Sequence, residues 1–323
     1  MNAPPRPEWA PHEAMWIGFP SDPKLWLDDL APAQAEVAAF AASVHADGAG
    51  EEVRLVAATE EAASQAVALA PFATIIVEPF GDIWLRDTGP IVVGSGSARR
   101  ARGFGFNGWG GKYELDGDED INARLASAAG LPFTKANWIL EGGAIDGDGS
   151  GCVLTTEQCL LNPNRNDLSR DQVEHRLRDD LGLERVVWLG DGLANDHTDG
   201  HVDNLARFVA PGRVAIPTPT ADDPNAAVYR DAALRLRAAG LDLVNIPSPG
   251  KMVRDGAIVP ASYMNFTIGN AAVVVPQYGA ANDRAAMAVI EALFPDRVAI
   301  GLRADHILTG GGSFHCISQQ VPA

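Results

Sequence analysis

Four short stretches carry residues whose types and spacing suit catalysis. The first is GGGSFHCISQQVP (310–322), which holds Cys316 beside His315 and behind three glycines. A cysteine is a strong nucleophile once it is a thiolate. Glycines let the backbone approach a ligand closely. A lone cysteine is also at home as a buried apolar group, so this stretch alone leaves both readings open. It lacks the GxxxxGK-S/T pattern of a phosphate loop. The second stretch is DHTDGHVDN (196–204). His197 and His201 stand four apart, the spacing of a zinc pair on a helix. The Glu of an HExxH motif is missing, and Gly200 is a poor helix residue. Residues 202–209 lean towards a strand, where His201 and Asp203 share one face. The third is DIWLRDTGP (82–90). If extended, Arg86 and Asp87 face opposite ways, Arg86 to a structural ion pair and Asp87 to the site with Trp84. The fourth is Glu141 with Gly142 and Gly143, an acid at the end of an apolar strand that packing does not explain. Cys152 and Cys159 read as core residues.

Stretches so far apart need elements that gather them. An amphipathic helix, a short break and a β-rich strand recur five times, through 68–79, 127–140, 179–190, 237–248 and 291–302. In DQVEHRLRDDLG, Val173, Leu177 and Leu181 fall on one helical face. The strands are rich in Val and Ile, as a pleated half-buried surface favours. The loops that follow are 80–90, 141–151, 191–204, 249–256 and 303–316, and four of them are dense in Asp, Glu, His or Cys. If equivalent strands point the same way around a ring, these loops converge on one centre. Periodicity alone also fits an ordinary alternating α/β sheet. No linker divides the chain, so residues 1–323 read as one domain. The Pro-rich first seven residues read as poorly ordered.

Composition narrows the partner. The 323 residues are 46% hydrophobic and 21% charged, as in a folded protein. A formal net charge of −17 disfavours nucleic acid and anionic membrane, which are held by Lys and Arg. It suits a cationic small molecule. Three cysteines do not make a disulfide framework. No signal peptide or apolar membrane span is legible, so the cytoplasm is the expected location.

Together these stretches resemble the agmatine deiminase family, within the guanidine-modifying superfamily that includes bacterial peptidylarginine deiminases. The resemblance runs through PEWAPHEAMWIGFP (7–20), DIWLRDTGP, FNGWGG (106–111), EGGAI, LTTEQCLLNPNRN (154–166), GHVDN, SYMNF (262–266) and GGGSFHCISQQVP. It implies a five-bladed α/β propeller of ββαβ-type repeats around a central active site. It implies no metal and no cofactor, which sets the zinc reading aside, and a homodimer. Carried over by motif, Cys316 is the expected nucleophile and His201 the general acid and base. Asp87 and Asp203 are the expected guanidinium ligands, with Glu141 as a further acidic partner. Trp84 would pack along the substrate's methylene stem, and Gly311 and Gly312 would border the substrate.

The chemistry is coherent. A guanidinium is planar and almost always protonated. Two carboxylates can fix its plane through paired N–H bonds. A thiolate then attacks the central carbon, and a histidine protonates the departing ammonia before activating water. With agmatine, the products are ammonia and N-carbamoylputrescine. Acids beside Cys316 would disfavour its thiolate until a guanidinium binds. Three rivals stand beside this reading. A deiminase of free or peptidyl arginine would need a cation for the carboxylate of free arginine, and Lys251 and Arg254 are candidates. A zinc hydrolase would use His197 and His201. A binding protein for a cationic amine would hold its ligand without turnover.

Overall fold

The computed structural model describes residues 3–254 and 256–323. Four three-stranded sheets repeat one topology. They are Ile91–Val93, Arg100–Gly105, Phe133–Ile139; then Asp146–Gly147, Cys152–Thr156, Arg185–Leu189; then Arg207–Ala210, Arg213–Thr218, Asp242–Pro247; and last Thr267–Ile268, Ala272–Gln277, Val298–Arg303. In each, the first two strands are antiparallel and the third runs parallel to the second. A parallel return requires a crossover. The helices Ile121–Ala128, Arg170–Leu181, Ala226–Ala238 and Asp283–Leu293 supply it.

A further sheet joins both ends of the chain. Ser318–Pro322 lies antiparallel to His12–Phe19, which is followed in parallel by Glu52–Ala57 and Thr74–Val77. Its crossovers are Leu30–His45 and Glu60–Leu69. The five helix–strand stretches legible in the sequence thus end in the last parallel strand of each sheet. The loops that carry the candidate chemistry follow those strands.

One helix shows why such a segment folds. In Arg170–Leu181, the Ser169 hydroxyl accepts from the Gln172 N–H, and the Gln172 side chain accepts from the Ser169 N–H. This reciprocal cap satisfies two otherwise orphan donors. Val173, Leu177 and Leu181 are fully buried on one face. They pack with Trp138, Cys159 and Leu160 in one apolar cluster. Gly182, at φ 66°, closes the helix in the left-handed region.

Three expectations need correction. Residues 85–88 form a helical turn rather than an extended segment. The Trp84 carbonyl closes the turn by accepting the N–H groups of Asp87 and Thr88 and the Thr88 hydroxyl. Residues 202–204 form a short 3-10 turn, and the strand begins only at Arg207. The Val202 carbonyl accepts from Leu205 and Ala206, which a strand would not allow. The opening segment is packed: Pro5 bridges Val93 and Glu8 is buried. Met1, Asn2 and Asp255 lie outside the described residues.

Truncation of a fully buried leucine tests this packing. Leu177→Ala should lower unfolding free energy by about 2–5 kcal/mol, seen in urea titration as a lower midpoint at unchanged slope.

Candidate active site

A cavity of about 490 Å³ is lined by Cys316, by Trp26, Trp84, Trp109 and Tyr113, and by the 310–312 glycines. Its acids are Asp28, Asp29, Asp82 and Asp87. Among the described residues that line it, none is Lys or Arg.

Cys316 is buried. Asn265 Nδ2 donates to its sulfur at 3.0 Å, and the sulfur lies 3.5 Å from Asp203 Oδ2. The Asn265 carboxamide oxygen accepts from the Cys316 N–H, fixing the cysteine's backbone. Burial pushes the thiol well above its ordinary range, and the charges of Asp203 and Asp87 push it further. Asp203 is also buried, yet it is held below the usual carboxylate range: burial opposes ionisation, but the His315 ring overrides it. His315 Nδ1 stands 2.7 Å from Asp203 Oδ2.

Asp87 reaches the cavity from the 85–88 turn. Trp109 Nε1 donates to its Oδ2 at 2.9 Å, and the Gly143 N–H donates to its Oδ1 at 3.0 Å. Burial raises its pKa to about 6, although His201 works the other way. Trp109 takes φ 54°, an uncommon value for a side-chain-bearing residue, between flexible glycines. That turn aims the indole at Asp87.

His201 Nδ1 lies 3.6 Å from Asp87 Oδ1. Burial alone would favour the neutral ring, but Asp87, the Cys159 thiol and Glu141 raise its pKa well above the ordinary value. A buried imidazolium facing carboxylates keeps its proton at neutral pH, and so can serve as a general acid once a strongly basic leaving nitrogen develops. Gly143 sits among these groups. A Cβ there would lie 2.6 Å from His201 Nδ1, 2.8 Å from Asp87 Oδ1 and 3.2 Å from Asp203 Oδ2. Only glycine leaves the acids and the histidine where they are.

Trp84 is fixed by Asp82, whose two oxygens accept from Trp84 Nε1 at 2.7 Å and Trp26 Nε1 at 2.9 Å. The two indoles stack with centroids 6.5 Å apart. Gly312 passes so close that a Cβ would lie 2.6 Å from the Trp84 ring and 2.8 Å from Cys316 Cβ. Gly311, at φ 103°, lines the cavity beside it.

The structure therefore brings Cys316, Asp87, Trp84, Gly311 and Gly312 to one cavity, with His201 and Asp203 packed against that cluster. Glu141 stands differently. It is fully buried, its Oε1 accepts from Arg165 Nε at 2.6 Å, and it does not line the cavity. Its ligand atom, the Cys159 sulfur and a His201 ring nitrogen lie within 4.8 Å of one another. Thiolate, imidazole and carboxylate are a zinc-type donor set. The Arg165 cation on Glu141 opposes a dication there. Cys159, read from sequence as core, is thus a neighbour of the candidate acid and base. His197 does not pair with His201; it lines the cavity, with Nδ1 3.3 Å from the Tyr113 hydroxyl. No described residue of the fourth loop, 249–256, lines the cavity. Asn265 and Trp109 were not singled out from sequence, although they lie in the motifs SYMNF and FNGWGG; Gly143 was named only as a neighbour of Glu141.

A model of the Porphyromonas-type peptidyl-arginine deiminase family matches residues 5–322. The chain belongs to this family. An agmatine deiminase of Stutzerimonas stutzeri (strain A1501) is 36% identical over 350 residues, covering 98% of this chain and 94% of the relative. An agmatine deiminase structure from Enterococcus faecalis superposes with a TM-score of 0.90 at 32% identity, covering 98% and 95% of the two chains. A substrate-bound cysteine-to-serine agmatine deiminase from C. jejuni gives a TM-score of 0.91 at 28% identity, covering 99% and 96%. The two solved structures share the α/β fold of mixed sheets described above.

The electrostatics make a test. Alkylation of Cys316, followed by peptide mass mapping, should be slow at pH 7–8 in the free protein and faster at higher pH. An unreactive guanidine should accelerate it by about tenfold or more, since a cation offsets the two carboxylates. No acceleration would mean that the acids do not control the thiol.

Proposed function

We propose that this chain hydrolyses agmatine to N-carbamoylputrescine and ammonia, with Cys316 as the nucleophile. The observation that carries the reading is an acidic, aromatic cavity beside Cys316 in which no lining residue among those described is Lys or Arg. Free arginine brings a carboxylate that such a wall would repel, whereas agmatine ends in an amine. Arg254 is already paired with Asp305 at 3.7 Å, and Lys112 with Asp199 at 2.5 Å. Lys251 is exposed and outside the cavity lining. The agmatine deiminase relatives support the same substrate.

In this reading Asp87 and Asp203 accept the guanidinium N–H groups and Trp84 packs along the methylene stem. Asp203 Oδ1 is buried without a hydrogen-bond partner among the described residues, which suits an incoming donor. The bound cation lowers the cost of the Cys316 thiolate: the thiol proton passes to solvent and the thiolate attacks the central carbon. A C–N bond then breaks as His201 protonates the leaving nitrogen, releasing ammonia and leaving a thiouronium on Cys316. His201, now neutral, takes a proton from water as its oxygen bonds to that carbon. The C–S bond breaks with its electron pair returning to sulfur, the new hydroxyl gives up its proton to restore the thiol, and the ureido product departs. Glu141 supports His201 through the buried Arg165 pair rather than as a substrate ligand. The four ββαβ sheets and the four-stranded sheet that joins the chain's two ends are read as blades of a five-bladed α/β propeller, one domain closed by that pairing. Family resemblance extends the reading to a homodimer, and three unpaired thiols suit the cytoplasm.

Ammonia release decides the substrate. Agmatine should turn over, with free arginine and a blocked arginyl peptide lower in kcat/KM by about 10²-fold or more. Cys316→Ser should lose about 10³-fold or more. Equal or better turnover of arginine would overturn the assignment of agmatine.

A further inference from the structure

His315 is buried outside the cavity lining. Its Nδ1 is 2.7 Å from Asp203 Oδ2, and its Nε2 is 3.2 Å from Glu8 Oε2. Both ring nitrogens therefore face carboxylate oxygens. A neutral imidazole has one N–H and one lone pair, and that lone pair would point at an anion. Protonation of both nitrogens removes the clash and gives two charge-assisted bonds.

The anions on either side are themselves anchored. Glu8 Oε1 accepts from the Ile268 N–H at 2.7 Å, and Arg207 pairs with Glu8 Oε2. Arg207 also donates to Asp146 Oδ2 at 2.6 Å and to the Met264 and Phe266 carbonyls. Burial alone would favour a neutral Glu8, but Arg207 and then His315 hold it well below the usual carboxylate range. The His315 carbonyl accepts from Arg86 Nε at 3.3 Å. The charged groups around the ring are thus Glu8, Asp203 and, further out, Asp146, Arg86 and Arg207, with the Cys316 thiol next in sequence.

We propose that His315 is a positioning residue, held as an imidazolium between Glu8 and Asp203, which keeps Asp203 ionised and leaves its Oδ1 free for the guanidinium. The opening segment thereby takes part in the site. Glu8, 195 positions before Asp203 in the sequence, supplies the anion that holds the imidazolium from behind. The substrate's role here rests on the proposed function, but the protonation state does not.

The test has two arms. In full-length protein labelled with ring-¹⁵N histidine at pH 7.5, the His315 resonances should report two protonated nitrogens, assigned by their loss in His315→Gln. Glu8→Gln should shift them towards a single-proton tautomer. A single-proton tautomer in the unaltered protein would overturn the proposal, whether or not any variant folds. In the kinetic arm, His315→Gln should raise KM for agmatine about tenfold at pH 7 with kcat changed less, and KM should climb further as the pH falls. The sign follows from Asp203: without its cation the buried carboxylate protonates at higher pH, and the substrate loses a charged partner. An unchanged KM across the pH range would also overturn it. Absence of agmatine turnover in the unaltered protein would instead count against the proposed function and leave the spectroscopic arm standing.

Discussion

The structure is organised around a charge problem. Asp87 and Asp203 are buried beside a buried thiol, where carboxylates are costly unless paired. Cations packed away from the cavity hold this arrangement together. Arg207 binds Glu8 and Asp146, and His315 joins Glu8 to Asp203. No Lys or Arg lines the cavity itself among the described residues. The site is thus negative where a substrate enters and compensated where it does not. A planar cation that accepts both carboxylates relieves their repulsion and favours the thiolate in one step. Selectivity and nucleophile activation then have a single cause.

The fold supplies the precision this needs. Candidate groups come from loops that follow the last strand of a sheet, so rigid strands fix the starting point of each. Close backbone approach does the rest. Gly143 lies where any side chain would displace His201 or Asp87, and Gly312 lies between Trp84 and Cys316. Asp82 locks two indoles with one carboxylate, which makes the aromatic wall stiff before substrate arrives.

Much of this was legible in the sequence, and the reasons are local. Val173, Leu177 and Leu181 announce a helix by spacing alone, and the five helix–strand stretches mark where the loops begin. Cys316, Asp87, His201 and Asp203 draw attention by residue type and spacing, and their expected roles come from the motifs that the family resemblance rests on. The missing parts depend on long-range pairing. Nothing near Glu8 in the chain reveals that it meets Arg207 and His315. Cys159 looks like core because its neighbours are apolar, yet it also touches His201. The turns at 85–88 and 202–204 read as extended because strand-forming residues stand beside them, Ile83 and Trp84 before one and Phe208 and Val209 after the other, while carbonyls of Trp84 and Val202 close them locally. A motif can name a residue without revealing the geometry that makes it useful.

The most direct check of the account is whether carbon from the guanidine becomes bonded to Cys316 during turnover. Rapid acid quench with carbon-labelled agmatine, followed by peptide mapping, should place the label on the Cys316 peptide, with ammonia formed no later than the adduct. Turnover that continues in Cys316→Ser, or a steady state with no label on that peptide at any quench time, would contradict the covalent account and leave the acidic cage as a binding device alone.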